Sequence, residues 1–262
     1  MKRIEETLKA LQKTGRAALI PYIMAGDPDL KTTGLLIRKM AESGAQIIEV
    51  GVPFSDPLAD GPTIQAAAQR ALRNGVHLED LFNLVKNMKG TNPPLVLMTY
   101  FNPVLQFGLK AFAAECRGSG IDAVIIPDLP PEEARPWVAE ARRSGVGTVF
   151  LVAPTSPPER IRLVSRMSQG FIYYVSVTGV TGMRDELPAA LETAVRRVQE
   201  SSGKPVAVGF GISTPAQARE VSRFADGVIV GSAIVKMIAE AQDESRIDRV
   251  GAFVSSLAAA MK

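Results

Sequence analysis

Short apolar runs recur along this sequence, each followed by glycine, proline or aspartate and then by a helical pattern. Apolar side chains at consecutive positions are typical of parallel strands that helices cover on both faces, rather than of half-exposed hairpins. We predict eight strands, at residues 17–24, 46–51, 94–100, 122–128, 147–153, 171–177, 205–210 and 226–231. This repetition limits the fold more than any other property of the chain.

The segments between the runs carry helix signals. "KTTGLLIRKMAESG" ends at a glycine, and "SPPERIRLVSRMS" and "TPAQAREVSRF" begin with Ser or Thr followed by proline. Alternating units over 262 residues predict an α/β fold, a single (β/α)₈ TIM barrel that spans residues 1–262. An open doubly wound sheet is the alternative, but its GxGxxG motif is replaced here by "AGDPD". The helical pattern before the first strand is extra, and we expect it to plug the bottom of the barrel.

Composition argues against several classes of function. The net charge is only +3, so we expect no nucleic-acid or anionic-membrane surface, and no apolar run approaches the ~20 residues of a membrane span. One cysteine and one histidine cannot form a conventional zinc site, and we predict no metal. We expect Cys116 to be a packing residue and His77 to lie at a helix start. The lone cysteine fits a reducing cytoplasm, or a plastid-like compartment if a transit peptide has been removed.

The second predicted strand contains a carboxylate, Glu49. In a barrel, catalytic groups come from the C-terminal ends of the strands. Ile47, Glu49 and Gly51 share one face of this strand, and if that face points inward, burial would raise the pKa of Glu49. Such a group can both give and take a proton near neutral pH. A glutamate at the barrel rim, or one paired with a basic residue, is the alternative.

Two aspartates follow Glu49 in "SDPLADGP". Both Asp56 and Asp60 lie in turn-forming sequences, in which a carboxylate often bonds its own backbone. Their spacing alone does not show which of them has a chemical role.

The loops after the last three predicted strands are rich in glycine. Glycines let backbone N–H groups approach an anion, and the amides at a helix start add partial positive charge. Barrel enzymes often bind phosphate at this place. We predict a phosphate site formed by Gly182, Gly209, Gly211, Gly231 and Ser232.

The segment "EVGVPFSDPLADGPTIQAAAQRAL", with "PYIMAGDPD" before it and "GVTG", "GFGIS" and "DGVIVGSAIV" after it, closely resembles the tryptophan synthase α subunit family. The resemblance covers the whole chain. It implies a lyase that cleaves indole-3-glycerol phosphate to indole and D-glyceraldehyde 3-phosphate in a reversible retro-aldol-type reaction. It implies that Glu49 is the acid/base that protonates C3 of the indole, and that Asp60 faces the indole N–H.

The resemblance also implies the substrate-binding positions, which are Tyr22, Tyr100 and Leu129 for the indole, Tyr173 near Glu49, and Gly182, Gly211, Gly231 and Ser232 for the phosphate. The sequence departs from the family at two positions. Tyr22 replaces a common phenylalanine, and Val177 replaces an arginine that is linked to loop closure in some members.

A partner follows from the resemblance as well. Family members bind a β subunit that carries pyridoxal phosphate, in an α₂β₂ tetramer through which indole is channelled. We therefore expect no cofactor in this chain. The expected partner contacts are Pro53, Asp56, Asn102, Asp128 and Pro130. Residues 177–190 resemble a lid over the phosphate end.

Two other functions are compatible with a barrel of this kind. A phosphosugar isomerase or epimerase would explain the glycine loops but not the motif around Glu49. A non-catalytic barrel that activates a partner enzyme would not require both Glu49 and Asp60.

Overall fold

The structure is a computed structural model that describes residues 2–88, 90, 92–175, 190–209, 211–241 and 245–262. Its strands are β1 (Ala18–Met24), β2 (Ile48–Gly51), β3 (Leu95–Met98), β4 (Ala123–Ile125), β5 (Gly147–Val149), β6 (Leu151–Val152), β7 (Ile172–Val175), β8 (Val206–Gly209) and β9 (Gly227–Val230). They form one sheet in the order β5-β4-β3-β2-β1-β9-β8-β7-β6, and every pair is parallel.

The helices lie before, between and after the strands. They are α1 (Lys2–Gln12), α2 (Leu30–Glu42), α3 (Pro62–Arg73), α4 (Leu78–Asn87), α5 (Phe101–Phe107), α6 (Leu109–Ser119), α7 (Arg135–Ser144), α8 (Pro158–Met167), α9 (Leu191–Ser202), α10 (Pro215–Ser222), α11 (Ser232–Glu240) and α12 (Ser245–Ala260). Except for α1 and α3, the buried faces of these helices pack with the outward-facing strand residues in one large apolar cluster.

Each of the eight predicted strands is confirmed, but the fifth is divided at Phe150. The N–H of Phe150 donates to Ser168 Oγ at 3.2 Å, and its carbonyl accepts from the N–H of Tyr173 at 3.1 Å. On one side of this residue β5 pairs with β4, and on the other β6 pairs with β7. The change of partner brings the two ends of the sheet together, so the sheet forms the expected barrel rather than an open sheet.

The N-terminal helix α1 plugs the barrel, as predicted. Ile4 and Leu8 are 1% and 2% exposed and pack with the inward-facing strand residues. Arg3 forms a 2.9 Å ion pair with Asp122, which directly precedes β4. The helix therefore covers the end at which the strands begin, and the opposite end stays available for a site.

Cys116 and His77, whose side chains could take part in chemistry, instead have structural roles. Cys116 is fully buried in the outer apolar cluster, as predicted. His77 is the N-cap of α4, and its backbone N–H donates to the Asp80 carboxylate at 2.9 Å. No helix in the described part of the chain is long and apolar enough to cross a membrane.

The barrel plug generates a stability prediction. Leu8→Ala should lower the free energy of unfolding by about 2–5 kcal/mol, because the inward cluster would lose a buried side chain and be left with a cavity. Leu35→Ala, at a side chain that is 42% exposed on α2, should change it by less than about 1 kcal/mol. Urea unfolding measures the free energy of unfolding of both variants. Equal decreases in the two variants would contradict the role of α1 as a plug.

Candidate active site

Strand β2 places Glu49 inside the barrel. Glu49 lies opposite Tyr22 of β1 and Val96 of β3 in the strand register, and it is 1% exposed. Its neighbours Ile48 and Val50 face the surrounding helices, whereas Ile47 joins the inward cluster. The predicted inward face is therefore confirmed, and the alternative of a solvated glutamate at the rim does not hold.

Asp60 lies on the loop between β2 and α3 and is 6% exposed. Its carboxylate Oδ2 accepts a hydrogen bond from the Tyr100 hydroxyl at 3.0 Å. Its backbone carbonyl accepts from Gln65 Nε2 at 2.9 Å, and its N–H donates to the Pro57 carbonyl at 3.1 Å. The loop therefore holds this carboxylate inside the protein.

Asp56 has different surroundings from Asp60. It is exposed, and its carboxylate accepts a hydrogen bond from the neighbouring Ser55 hydroxyl. The tertiary structure thus separates two aspartates that the sequence alone left equivalent: Asp60 turns inward and Asp56 turns to solvent.

One cavity joins these carboxylates to the glycine-rich end of the barrel. Its described lining comprises the carboxylates Glu49 and Asp60, the phenols Tyr22 and Tyr173, the apolar side chains Ile64, Met98, Ile212 and Ile229, and Gly211, Gly231 and Ser232. An apolar middle, an acidic side and a glycine–serine end suit a planar apolar group that carries an anionic tail.

The glycine–serine end lies at the N-terminus of α11. Gly231 is the N-cap of this helix and Ser232 its first residue. The first amides of an α-helix have no partner within the helix and favour an anion. Gly211 has a φ of +90°, a conformation that L side chains rarely adopt. Three predicted phosphate-site residues therefore line the cavity, whereas Gly182 lies outside the described residues.

Two tyrosine rings reach the cavity across glycines. A Cβ at Gly51 would overlap the Tyr22 hydroxyl, and a Cβ at Gly209 would overlap the Tyr173 hydroxyl. Gly209 thus contributes by leaving room for a ring rather than by lining the cavity. The absence of side chains at these two strand ends decides where the phenols stand relative to Glu49.

Burial dominates the electrostatics of the two carboxylates. It raises the pKa of Glu49 to about 8, with a further contribution from the negative charge of Asp60. It raises the pKa of Asp60 to about 6, while the hydrogen bond from Tyr100 lowers it. Within the described part of the chain, Glu49 Oε2 has no hydrogen-bond partner. Near neutral pH, Glu49 is therefore mostly protonated and Asp60 mostly ionised.

Two predicted indole contacts do not line this cavity. Tyr100 contacts the site through its hydrogen bond to Asp60. Leu129 is 4% exposed and packs in the outer apolar cluster. Tyr22 and Tyr173 do line the cavity, and the burial of each ring raises the pKa of its hydroxyl.

The predicted partner contacts lie on the loops after β2 and β4 and, for Asn102, in the first turn of α5 after the β3 loop, all at the same end of the barrel. Asp56, Asn102 and Asp128 are exposed, Pro130 is half-buried, and Pro53 is buried within the chain. The loops are connected by hydrogen bonds: Ala59 N–H donates to Tyr100, and Phe101 N–H donates to the Asp128 carboxylate at 2.9 Å. They therefore form one continuous surface, to which Pro53 adds little area.

Sequence reasoning missed the apolar lining. Met98 and Ile229 occupy inward positions on β3 and β9, so the strand alternation that located Glu49 could have found them. Ile64 and Ile212 gave no such signal, because both follow loops whose path is decided by the barrel. No group of three or more His, Cys, Asp and Glu side chains that could hold a metal ion is found among the described residues.

The raised pKa of Glu49 generates a prediction for stability against pH. Between its ordinary value of 4.5 and about 8, the native state keeps a proton that the unfolded state releases. The free energy of unfolding should therefore fall as pH rises, by at most about 1.4 kcal/mol per pH unit for this group. Glu49→Gln should flatten this decline between pH 6.5 and 8, where most Asp60 is already ionised.

Urea unfolding at several pH values measures the decline in the two proteins. Glu200→Gln, at an exposed position of α9, is the matched control and should follow the parent curve. Parallel curves for the parent chain and Glu49→Gln would contradict the raised pKa.

Comparison with known proteins identifies the family. The sequence model of the family described as "Tryptophan synthase alpha chain" matches residues 8–262. The tryptophan synthase alpha chain of Geotalea uraniireducens is 48% identical over 263 residues, which cover 100% of this chain and 98% of that protein. That of Geobacter sulfurreducens is 49% identical over 258 residues, covering 98% of both chains.

Solved structures of related proteins have the same fold. A structure of Mycobacterium tuberculosis tryptophan synthase aligns with a TM-score of 0.91 at 40% identity, over 99% of this chain and 98% of that one. The tryptophan synthase subunit alpha of Legionella pneumophila aligns with a TM-score of 0.92 at 38% identity, over 99% and 98% of the two chains. The family model, these relatives and the shared barrel fold together show that the chain belongs to the tryptophan synthase alpha chain family.

Proposed function

We propose that this chain is a lyase that cleaves indole-3-glycerol phosphate to indole and D-glyceraldehyde 3-phosphate, the α reaction of L-tryptophan biosynthesis. The observation that carries the proposal is the pair of buried carboxylates, Glu49 and Asp60, in a cavity that ends at the N-terminus of α11. Their pKa values of about 8 and about 6 give the two groups different protonation states at neutral pH.

Glu49 acts first as a general acid. Its proton is transferred to C3 of the indole ring, and the positive charge that forms is shared with the ring nitrogen. The Glu49 carboxylate then takes the proton from the hydroxyl on the carbon attached to C3. As that C–C bond breaks, its electron pair returns to the ring, and the aldehyde and indole are released. A pKa near 8 suits a group that must give and then regain a proton.

Asp60 stabilises the cationic intermediate. Its carboxylate is mostly ionised near neutral pH, and we assign it to the indole N–H, which becomes more acidic as the ring gains positive charge. The low dielectric of the cavity strengthens this attraction relative to water. Two carboxylates in different surroundings thus divide the acid/base and electrostatic roles.

The rest of the cavity binds the substrate. Ile64, Met98 and Ile229 offer an apolar surface to the indole ring, and Tyr173 stands near Glu49 as an orienting group. The amides at the start of α11, the Ser232 hydroxyl and the backbone at Gly211 suit the phosphate. Tyr100 and Leu129 support the site from outside the cavity.

The two rival functions explain less of the site. A phosphosugar isomerase or epimerase does not require an apolar surface that continues from the phosphate end to an acidic pair. A barrel that only activates a partner does not require a buried Glu49 with one oxygen, Oε2, that has no hydrogen-bond partner among the described residues, since such burial destabilises the fold.

We assign the surface at the C-terminal end of β2, β3 and β4 to a tryptophan synthase β subunit in an α₂β₂ tetramer. Leu58 and Leu105 are 86% and 54% exposed there, beside the exposed Asp56 and Asn102. Exposed apolar side chains with a polar rim are typical of a protein interface. Pyridoxal phosphate belongs to that partner in this proposal, indole passes directly to it, and the assembly works in the cytoplasm.

The proposed chemistry is tested by substitution of each carboxylate. Glu49→Gln and Asp60→Asn should each lower kcat for indole release from indole-3-glycerol phosphate by roughly 10²–10⁴-fold, with the fold unchanged by circular dichroism. Glu200→Gln should leave the rate unchanged, because its side chain is exposed on α9. Substantial cleavage by either carboxylate variant would contradict the roles assigned here.

The two aspartates of the β2–α3 loop should separate catalysis from assembly. Asp56→Asn should leave indole release by the isolated chain near the parent value, since this side chain lies outside the cavity. It should weaken the increase in rate that a β subunit produces, measured by titrating that subunit into the assay. An equal loss with and without the β subunit would contradict the assignment of Asp56 to the interface.

A further inference from the structure

The hydroxyl of Tyr100 makes two hydrogen bonds to the loop that carries Asp60. The backbone N–H of Ala59 donates to the Tyr100 oxygen at 3.0 Å, and the hydroxyl lies 3.0 Å from Asp60 Oδ2. A phenol has one proton, and a backbone amide can only donate. The Ala59 contact therefore leaves the phenol proton for the carboxylate, so that Tyr100 donates to Asp60.

Tyr100 is itself held in place. Tyr100 lies two residues after the end of β3 and is the N-cap of α5. Its side chain is buried, with 3% of the residue exposed. Its ring stacks on Phe54, with centroids 5.3 Å apart and planes inclined by 26°. The next residue, Phe101, donates its N–H to the Asp128 carboxylate. Because these contacts hold Tyr100 in place, its hydroxyl can hold the Asp60 carboxylate in place.

The other hydrogen bonds of the loop hold only its backbone. Gln65 Nε2 donates to the Asp60 carbonyl, and the Asp60 N–H donates to the Pro57 carbonyl. In the part of the chain that the structure describes, Tyr100 is the one donor that contacts the Asp60 carboxylate. Among the described residues, the direction of this carboxylate and its ionisation thus depend on the Tyr100 hydroxyl.

The charged and titratable groups around Asp60 do not replace that donor. Among the described elements, Glu49 faces it from β2, Tyr22 from β1 and Tyr173 from β7, and the negative charge of Asp128 acts on Tyr100. None of these groups is a cation. Burial favours the neutral acid, and the Tyr100 hydrogen bond is the contribution that lowers the pKa of Asp60.

We propose that Tyr100 is a positioning residue for the reaction: its hydroxyl anchors the loop at Ala59 and directs the Asp60 carboxylate into the cavity in its ionised form. This role differs from that of an indole contact, because the ring does not line the cavity. It rests on the proposed function only in the part that Asp60 has in catalysis; the link between Tyr100 and the ionisation of Asp60 is independent of that function.

The direct test is the titration of Asp60 in the full chain. Carbon-13 NMR of protein labelled at aspartate carboxyls would follow its pKa, with Asp60→Asn used to assign the signal. Tyr100→Phe keeps the ring and removes the donor, so the pKa of Asp60 should rise by about one unit or more. Tyr174→Phe is the matched control, since Tyr174 is equally buried but lies in the outer cluster. It should leave the titration unchanged.

A second replacement should move the pKa in the opposite direction. Incorporation of 3,5-difluorotyrosine at position 100 by nonsense suppression makes the phenol a stronger donor and should lower the pKa of Asp60. Burial and nearby carboxylates raise the pKa of the Tyr100 hydroxyl, which keeps the more acidic phenol protonated. If the ring had only a structural role, Tyr100→Phe and the difluorotyrosine protein would not shift the pKa of Asp60 in opposite directions. An unchanged pKa of Asp60 in the difluorotyrosine protein would therefore overturn the proposal, even if Tyr100→Phe did not fold.

The pH profile of indole release then separates this inference from the proposed function. In Tyr100→Phe, the acidic limb of kcat should move to higher pH by the same shift as the Asp60 signal, and kcat should fall more than KM rises. An active parent chain with an unmoved limb in Tyr100→Phe would overturn the role of Tyr100 alone. An inactive parent chain would overturn the proposed function, and the titration would still decide whether Tyr100 controls Asp60.

Discussion

The burial of the Glu49 carboxyl is the constraint on which the rest of this site depends. A carboxylate that is 1% exposed, with one oxygen lacking a hydrogen-bond partner in the described structure, cannot ionise easily, so it keeps its proton to about pH 8. The same surroundings would also neutralise Asp60, but Tyr100 donates a hydrogen bond to it. The two carboxylates differ because Asp60 accepts a hydrogen bond from Tyr100, whereas Glu49 is more deeply buried and its Oε2 has no hydrogen-bond partner among the described residues.

The barrel allows this arrangement because it is closed at one end and open at the other. Helix α1 fills the end where the strands begin, and inward apolar side chains fill the middle. At the other end the glycines Gly51 and Gly209 leave space for the rings of Tyr22 and Tyr173. The glycines thus shape the cavity as much as the larger side chains do. The packing of the rest of the barrel offsets the stability that the buried carboxylates cost.

Catalysis and assembly meet in the β2–α3 loop. Asp60 turns inward from it, while Asp56 and Leu58 face solvent on the surface assigned to a β subunit. Hydrogen bonds from Ala59 to Tyr100 and from Phe101 to Asp128 connect this loop to the loops after β3 and β4. The three segments that form this surface are therefore linked to the Asp60 carboxylate through Tyr100.

The sequence by itself indicated the eight strands, the α1 plug and which residues share a face of β2 with Glu49. These follow from local signals, because side-chain alternation and helix-stop residues act within a few positions. The tertiary structure decided what joins distant segments. It divided the fifth strand at Phe150, separated Asp60 from Asp56, and placed the Tyr100 hydroxyl in hydrogen-bond contact with the Asp60 carboxylate. Tyr100 and Asp60 are 40 positions apart, and their contact exists only because parallel pairing brings the ends of β2 and β3 side by side.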